Sequence, residues 1–413
     1  MTPDLTRGAG TDAAFTLCLN PLAEHDKPWT AEQGAILSDA GLALARETIS
    51  GWPGHAETKL HALPALAARL GVAELRYKDE ATRFGLGSFK ALGGAYAVAR
   101  LLARKIGEAL GREVSMAEVT QVAHPDEAAK ITVCCATDGN HGRSVAWGAQ
   151  NFGCACVIFI HATVSEGRKA AIEAYGAEVR RCAGNYDDSV REAQETATRE
   201  GWFVVSDTSY EGYMEIPKDV MQGYEVMAAE AYDALSEPPT HVFLQTGVGG
   251  MAAAVAAQAV RRYGAARPTI VLCDPDQSAC WLETMRAGTP TAVEGDLDTL
   301  MAGLACGEVS ALAWEILRDH GDAVMALTDA SAVAEMKRLA KPEGDDPAIV
   351  AGESAVAGLA GLAAAMSDEE ARAALGLDAS SRVLVFGTEG DTDAALYEEL
   401  VGMSAAEVRG EAA

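Results

Sequence analysis

Positive charge is scarce in this chain. Its 413 residues hold 33 Lys and Arg against 60 Asp and Glu, a formal net charge of −27. So negative a surface repels phosphate backbones and anionic lipid, which argues against nucleic acid and membranes as partners. Long hydrophobic runs are missing as well. The longest uncharged apolar stretch, Ser354 to Met366, is mostly Ala, Gly and Val and is too short to span a bilayer. The opening residues, MTPDLTRGAGTDAAF, contain no basic-then-apolar run and no small-residue cleavage site, so the predicted compartment is the cytoplasm. Cysteine is sparse and unpatterned: nine residues, with no C-x2-C pairs and no clustered histidines beside them. That argues against a disulfide scaffold and a zinc site, and no metal is predicted.

What the chain does have is length and alternation. At ~100–200 residues per domain it fits two or three lobes. Strand-like apolar runs fall at Ile131–Ala136, Cys156–Ile160, Phe203–Ser206, His241–Thr246, Thr269–Asp274 and Arg382–Gly387. Amphipathic, Ala-rich stretches separate them, among them Gly142–Phe152, Asp187–Glu200, Pro217–Leu235 and Met251–Tyr263. Continuous apolar strands alternating with helices predict an α/β fold with mostly parallel, twisted sheets. Ligands of such sheets bind beyond the carboxyl ends of the strands, so the turns there are the places to look for chemistry.

Three turns stand out. In the first, an extended run ends in Gly85-Leu86-Gly87-Ser88-Phe89-Lys90 and a helix begins. A lysine there faces the positive end of the helix dipole, which suits an amine that is neutral or covalently engaged. The second, Thr137-Asp138-Gly139-Asn140-His141, leaves a strand and opens a helix. It reads equally as a plain N-cap or as an anion-holding turn. The third, Gly247-Val248-Gly249-Gly250-Met251, has the make-up of a phosphate cradle. It also fits a dinucleotide pattern through Gly247, Gly249 and Ala252, with Asp274 at the place of a ribose-binding acid.

Taken together and in this order, Ser88-Phe89-Lys90, Gly139-Asn140-His141 and Gly247–Met251 make the chain similar to the fold-type II pyridoxal-phosphate enzymes, the group of threonine dehydratase and the tryptophan synthase β-subunit. A nicotinamide enzyme would leave Lys90 and the Asn140 turn unexplained. The stretches RFGLGSFKALGGAYA, ATDGNHGRSVAWGA, SDTSYEGYMEIPKDVMQGY, MAGLACGE and GTEGDTD resemble the diaminopropionate ammonia-lyases within that group, over roughly residues 35 to 400. Asp138 is the telling residue, since threonine dehydratases usually carry Ser there. Tyr210 and Asp274 depart from the pattern, standing where Trp and Glu are common.

The resemblance implies two interleaved lobes with the cofactor between them, a large one from 1–91 and 203–413 and a small mobile one from 92–202. It implies pyridoxal phosphate on Lys90, flanked by Phe89, with Asn140 on its ring oxygen. Gly247, Val248, Gly249, Gly250 and Met251 would hold the phosphate, and Thr388, or another residue up to Thr392, would face the pyridine nitrogen. Thr137, Asp138, Gly139 and His141 would bind a small amino-acid substrate. The implied reaction is α,β-elimination from 2,3-diaminopropionate to pyruvate and ammonia, with Asp138 serving the D-isomer and Asp207 the L-isomer. A homodimer is implied too. The open alternative is a related lyase acting on serine, threonine, 3-hydroxyaspartate or another β-substituted amino acid.

Overall fold

The computed structural model describes residues 5–7, 15–137, 139–184 and 186–411. The chain divides into two compact units, one of Met1–Ile36, Thr58–Thr82 and Ala228–Ala413, the other of Leu37–Glu57 and Arg83–Met227.

The first unit is built on an eight-stranded sheet. Its five central strands run parallel in the order Ala323–Leu327, Thr269–Pro275, His241–Gln245, Arg382–Gly387 and Glu74–Asp79. Antiparallel edges close it: Phe15–Leu19 and Leu5–Arg7 on one side, Leu60–Ala62 on the other. His241–Gln245 and Ala323–Leu327 are buried along their whole length, as expected of strands covered by helices on both faces. The apolar run that begins at Ser354 becomes the helix Ala357–Ser367, whose Leu359 and Leu362 pack into the core with Phe243 and Leu327. No helix among the described residues is long and apolar enough to cross a membrane.

The second unit carries a four-stranded parallel sheet in the order Glu178–Arg181, Ala155–Ile160, Thr132–Ala136, Phe203–Val204. Cys134, Val157 and Phe159 from the strands and Ala193 and Ala197 from the helix Tyr186–Glu200 form its core on one face. The helices Lys90–Leu110 and Asn140–Phe152 pack against each other, each starting at one of the turns singled out above. Their approach is close because small residues meet. A Cβ at Gly148 would lie 2.8 Å from the Cα of Ala95.

The sheet architecture follows the sequence expectation, and most strand limits fall within two residues of it. The strands Phe15–Leu19, Glu178–Arg181 and Ala323–Leu327 add to it.

This packing sets a stability test. Gly148→Val pushes two helix backbones apart, and overpacking of this kind costs about 1–3 kcal/mol. Chemical denaturation should show a lower midpoint in the variant; an unchanged midpoint would contradict the close helix contact.

Candidate active site

The second unit resumes at Arg83 with a turn under strain. Phe84 sits at φ 52, ψ 15, a left-handed conformation that a bulky residue avoids. Three rings hold it there: Trp147 at 4.9 Å, Trp52 at 5.9 Å and His55 at 6.0 Å between centroids. Buried Arg83 donates to the Ala56 carbonyl at 3.0 Å and secures the same turn. Strain of about 1–3 kcal/mol persists only where neighbours impose it, and it clusters at functional sites. Here it delivers Lys90.

Lys90 is the first residue of its helix, which has no side-chain cap and no acid in its first turn. The missing negative charge comes from Asp207 instead. Lys90 Nζ donates to Asp207 Oδ2 at 2.6 Å, with both side chains about one-fifth exposed. Burial works to raise the Asp207 carboxyl, but the Lys90 ammonium outweighs it and holds the group well below the usual carboxylate range. The Lys90 ammonium also lies 5.4 Å from the Phe89 ring centroid and 5.8 Å from that of Tyr224, and those two rings are 4.6 Å apart. Burial pushes the Tyr224 phenol up, and adjacent Lys90 partly opposes that.

His141 stands behind Asp207. Its Nε2 lies 2.8 Å from the Val205 carbonyl, which only accepts, so Nε2 carries the proton. Nδ1 has no hydrogen bond and lies 3.8 Å from Asp207 Oδ2. Burial, assisted by the Lys90 charge, lowers the imidazole's pKa and favours the neutral form. A lone pair on Nδ1 therefore faces the carboxylate, placed to take a proton from it.

Asp207 is fixed by its own strand end. Tyr213 Oη donates to the Val204 carbonyl at 2.8 Å and accepts from the Ser206 N–H at 3.0 Å, pinning the backbone just ahead of it. On the neighbouring strand end, the Thr137 hydroxyl accepts from the N–H groups of Gly139 and Gly142 at 3.1 and 3.2 Å, and Asn140 opens the helix. Asp138 lies outside the described residues.

The first unit contributes the glycine turn. Gly247–Met251 follows the strand His241–Gln245 and opens the helix Gly250–Tyr263, which has no side-chain cap. Gly249 has φ 94, and a Cβ there would collide with the Trp281 indole. Uncapped N–H groups at a glycine-rich helix start suit an anion. Gln245 Nε2 donates to Thr388 Oγ1 at 2.8 Å, so the Thr388 hydroxyl keeps its own proton to donate elsewhere. Beneath the turn, Asp274 accepts from the Thr246 hydroxyl and from the backbone of Trp281 and Leu282. Burial pushes its carboxyl up to about 7 even though those three donors oppose the shift.

The structure thus gathers Lys90, Phe89, Asp207 and His141 in one unit, and it joins Thr388 to the strand that feeds Gly247–Met251 in the other. Sequence reasoning missed Tyr224, Gln245 and Trp281. Each occupies an ordinary helix or strand position, and only the long-range fold brings it to the site.

Residues 52–389 match the sequence family described as pyridoxal-phosphate dependent enzyme. Diaminopropionate ammonia-lyase of Escherichia coli (strain K12) is 40% identical over 382 residues, covering 91% of this chain and 95% of that protein. The holo crystal structure of the Escherichia coli enzyme superposes with a TM-score of 0.85 at 37% identity, covering 94% of this chain and 96% of that one. A second structure of that enzyme, in complex with D-serine, gives a TM-score of 0.85 at 36% identity, covering 97% and 98%.

Asp274 carries a pH test. Its carboxyl lies near the ordinary value of ~3.9 in the unfolded chain and about 7 in the folded one. Between those values the native state binds the extra proton, so stability falls as pH rises from ~4 to about 7 and levels off above. Buried Glu335, also pushed up to about 7, adds a slope of the same sign. Denaturation of Asp274→Asn across this window should show a flatter slope; an unchanged slope would contradict a proton held on Asp274.

Proposed function

This chain belongs to the family of pyridoxal-phosphate dependent enzymes, and from that premise we propose that it converts 2,3-diaminopropionate, with one water consumed, to pyruvate and two ammonia. The observation that carries this reading is the contact of Lys90 with Asp207 at 2.6 Å, backed by a neutral imidazole.

The residues present fit the cofactor. Lys90 would provide the amine, Gly247–Met251 an uncapped backbone cradle with glycine at three of its five positions, and Thr388 a hydroxyl directed by Gln245. In this reading Asn140 meets the ring oxygen and Phe89 flanks Lys90. When bound, pyridoxal phosphate acts as an electron sink that makes the substrate Cα–H acidic. A neutral hydroxyl at the ring nitrogen, rather than a carboxylate, keeps that sink moderate.

The chain's own groups then decide the substrate. Once the Lys90 amine is engaged by the cofactor, Asp207 loses its counter-ion. A substrate with a second ammonium replaces that counter-ion, whereas a β-hydroxyl does not. This favours a diamino acid over serine or threonine. Asp207 Oδ2 takes the Cα proton of the L-isomer and can pass it to His141 Nδ1 or return it to the departing amine. Asp138 does the same for the D-isomer, with Thr137, Gly139 and His141 binding the substrate beside it. A carboxylate suits both roles because it attracts the leaving ammonium and also accepts and donates the proton. The same reading makes the enzyme a cytoplasmic homodimer.

Variants test the assignments. Lys90→Ala should lose both the visible absorbance of bound cofactor and turnover; retained turnover would contradict the lysine's role. Asp207→Asn should lose ~10²–10⁴-fold in turnover of L-diaminopropionate while keeping most of its D-isomer activity, and Asp138→Asn the reverse. Equal losses on both isomers in both variants would reject the division of labour.

A further inference from the structure

We infer that Asp274 and Trp281 are positioning residues that hold the Gly247–Met251 turn in its phosphate-binding shape from behind. The inference rests on the reading of that turn as the cofactor's phosphate site.

A backbone cradle binds an anion only if its N–H groups face the ligand and its carbonyls are committed elsewhere. Both leading carbonyls of this turn are committed. The Gly247 carbonyl accepts from the Trp281 indole N–H at 3.0 Å and from the Cys280 thiol at 3.6 Å. The Val248 carbonyl accepts from the Ser310 N–H at 2.9 Å. Trp281 does a second job with its ring, which occupies the space that a side chain at Gly249 would need. The indole is thus the floor on which the left-handed Gly249 rests.

Trp281 is in turn placed by one carboxylate. Asp274 Oδ2 accepts from the N–H groups of Trp281 at 2.9 Å and Leu282 at 3.1 Å, the first turn of the helix Cys280–Ala287. Its Oδ1 accepts the hydroxyl of Thr246, the residue that leads into the turn. One side chain therefore fixes both the entrance of the turn and the helix that supplies its floor. Asp274 and Trp281 are wholly buried, so any influence they have on the phosphate is exerted through the loop. Asparagine can replace the aspartate in this role. Its carbonyl oxygen accepts from the helix N–H groups, and its amide donates to the Thr246 hydroxyl oxygen.

The test is an absorbance titration of the apoenzyme with pyridoxal phosphate, paired with kcat at saturating cofactor. Asp274→Ala should weaken cofactor binding about ten-fold or more, with kcat at saturation within about three-fold of the parent. Asp274→Asn should restore binding to within about three-fold of the parent. Trp281→Phe keeps the ring and loses the N–H; it should weaken binding a few-fold, and it serves where Asp274→Ala fails to fold. Parental affinity in both Asp274→Ala and Trp281→Phe would overturn the inference. So would an Asp274→Asn variant as weak as Asp274→Ala, or a loss of kcat with affinity unchanged. Val248→Asp separates the inference from the reading beneath it, because it puts a carboxylate in the turn itself. Parental affinity in Val248→Asp overturns the phosphate site and the inference together. Weakened Val248→Asp beside parental Asp274→Ala and Trp281→Phe overturns the inference alone.

Discussion

The ion pair of Lys90 with Asp207 is the constraint around which the second unit is arranged. An ammonium at the first position of a long helix opposes the helix dipole, and no acid in that helix relieves it. The relief comes from a residue 117 positions later, at 2.6 Å, and so depends on the tertiary fold. The strained Phe84 turn, the rings that grip it and the close helix contact at Gly148 serve to hold one end of the pair. The Tyr213 clamp on Val204 and Ser206 holds the other. In the function proposed above, engaging the lysine amine would leave this carboxylate without its cation, and a preference for a diamino substrate would follow from that uncovered charge.

The glycine turn of the first unit solves a different problem. A chain with net charge −27 offers no general attraction to a phosphate, so the attraction has to be local. In the proposed function it would come from N–H groups at an uncapped helix start, with the Gly247 and Val248 carbonyls committed elsewhere. In that proposal a buried carboxylate, Asp274, lies behind the anion site. That is tolerable because burial favours the protonated form up to about 7, and because three donors meet the carboxylate.

Much of this was legible in the amino-acid order. The strands His241–Gln245 and Arg382–Gly387 read directly, since a strand buried on both faces is a continuous apolar run. Lys90, Asn140 and the glycine turn read as motifs because each follows a strand and opens a helix. The role proposed for Asp207 rests on family resemblance; nothing in Ser206-Asp207-Thr208 separates a catalytic acid from a turn residue. Trp281 and Gln245 were illegible, as their work depends on partners 34 and 143 residues away. Glu178–Arg181 escaped because its charged, half-exposed residues lack the apolar pattern of the central strands. Phe84 gave no sign of strain, which belongs to the packing and not to the residue.

In the proposed function the uncovered charge of Asp207 selects a substrate with a second amine. The most direct measurement is a competition of purified enzyme over diaminopropionate, serine and threonine, with pyruvate or its homologue and ammonia both counted. The account predicts that diaminopropionate has the highest kcat/KM and yields two ammonia per pyruvate. A higher kcat/KM for serine or threonine, with one ammonia per keto acid, would contradict it.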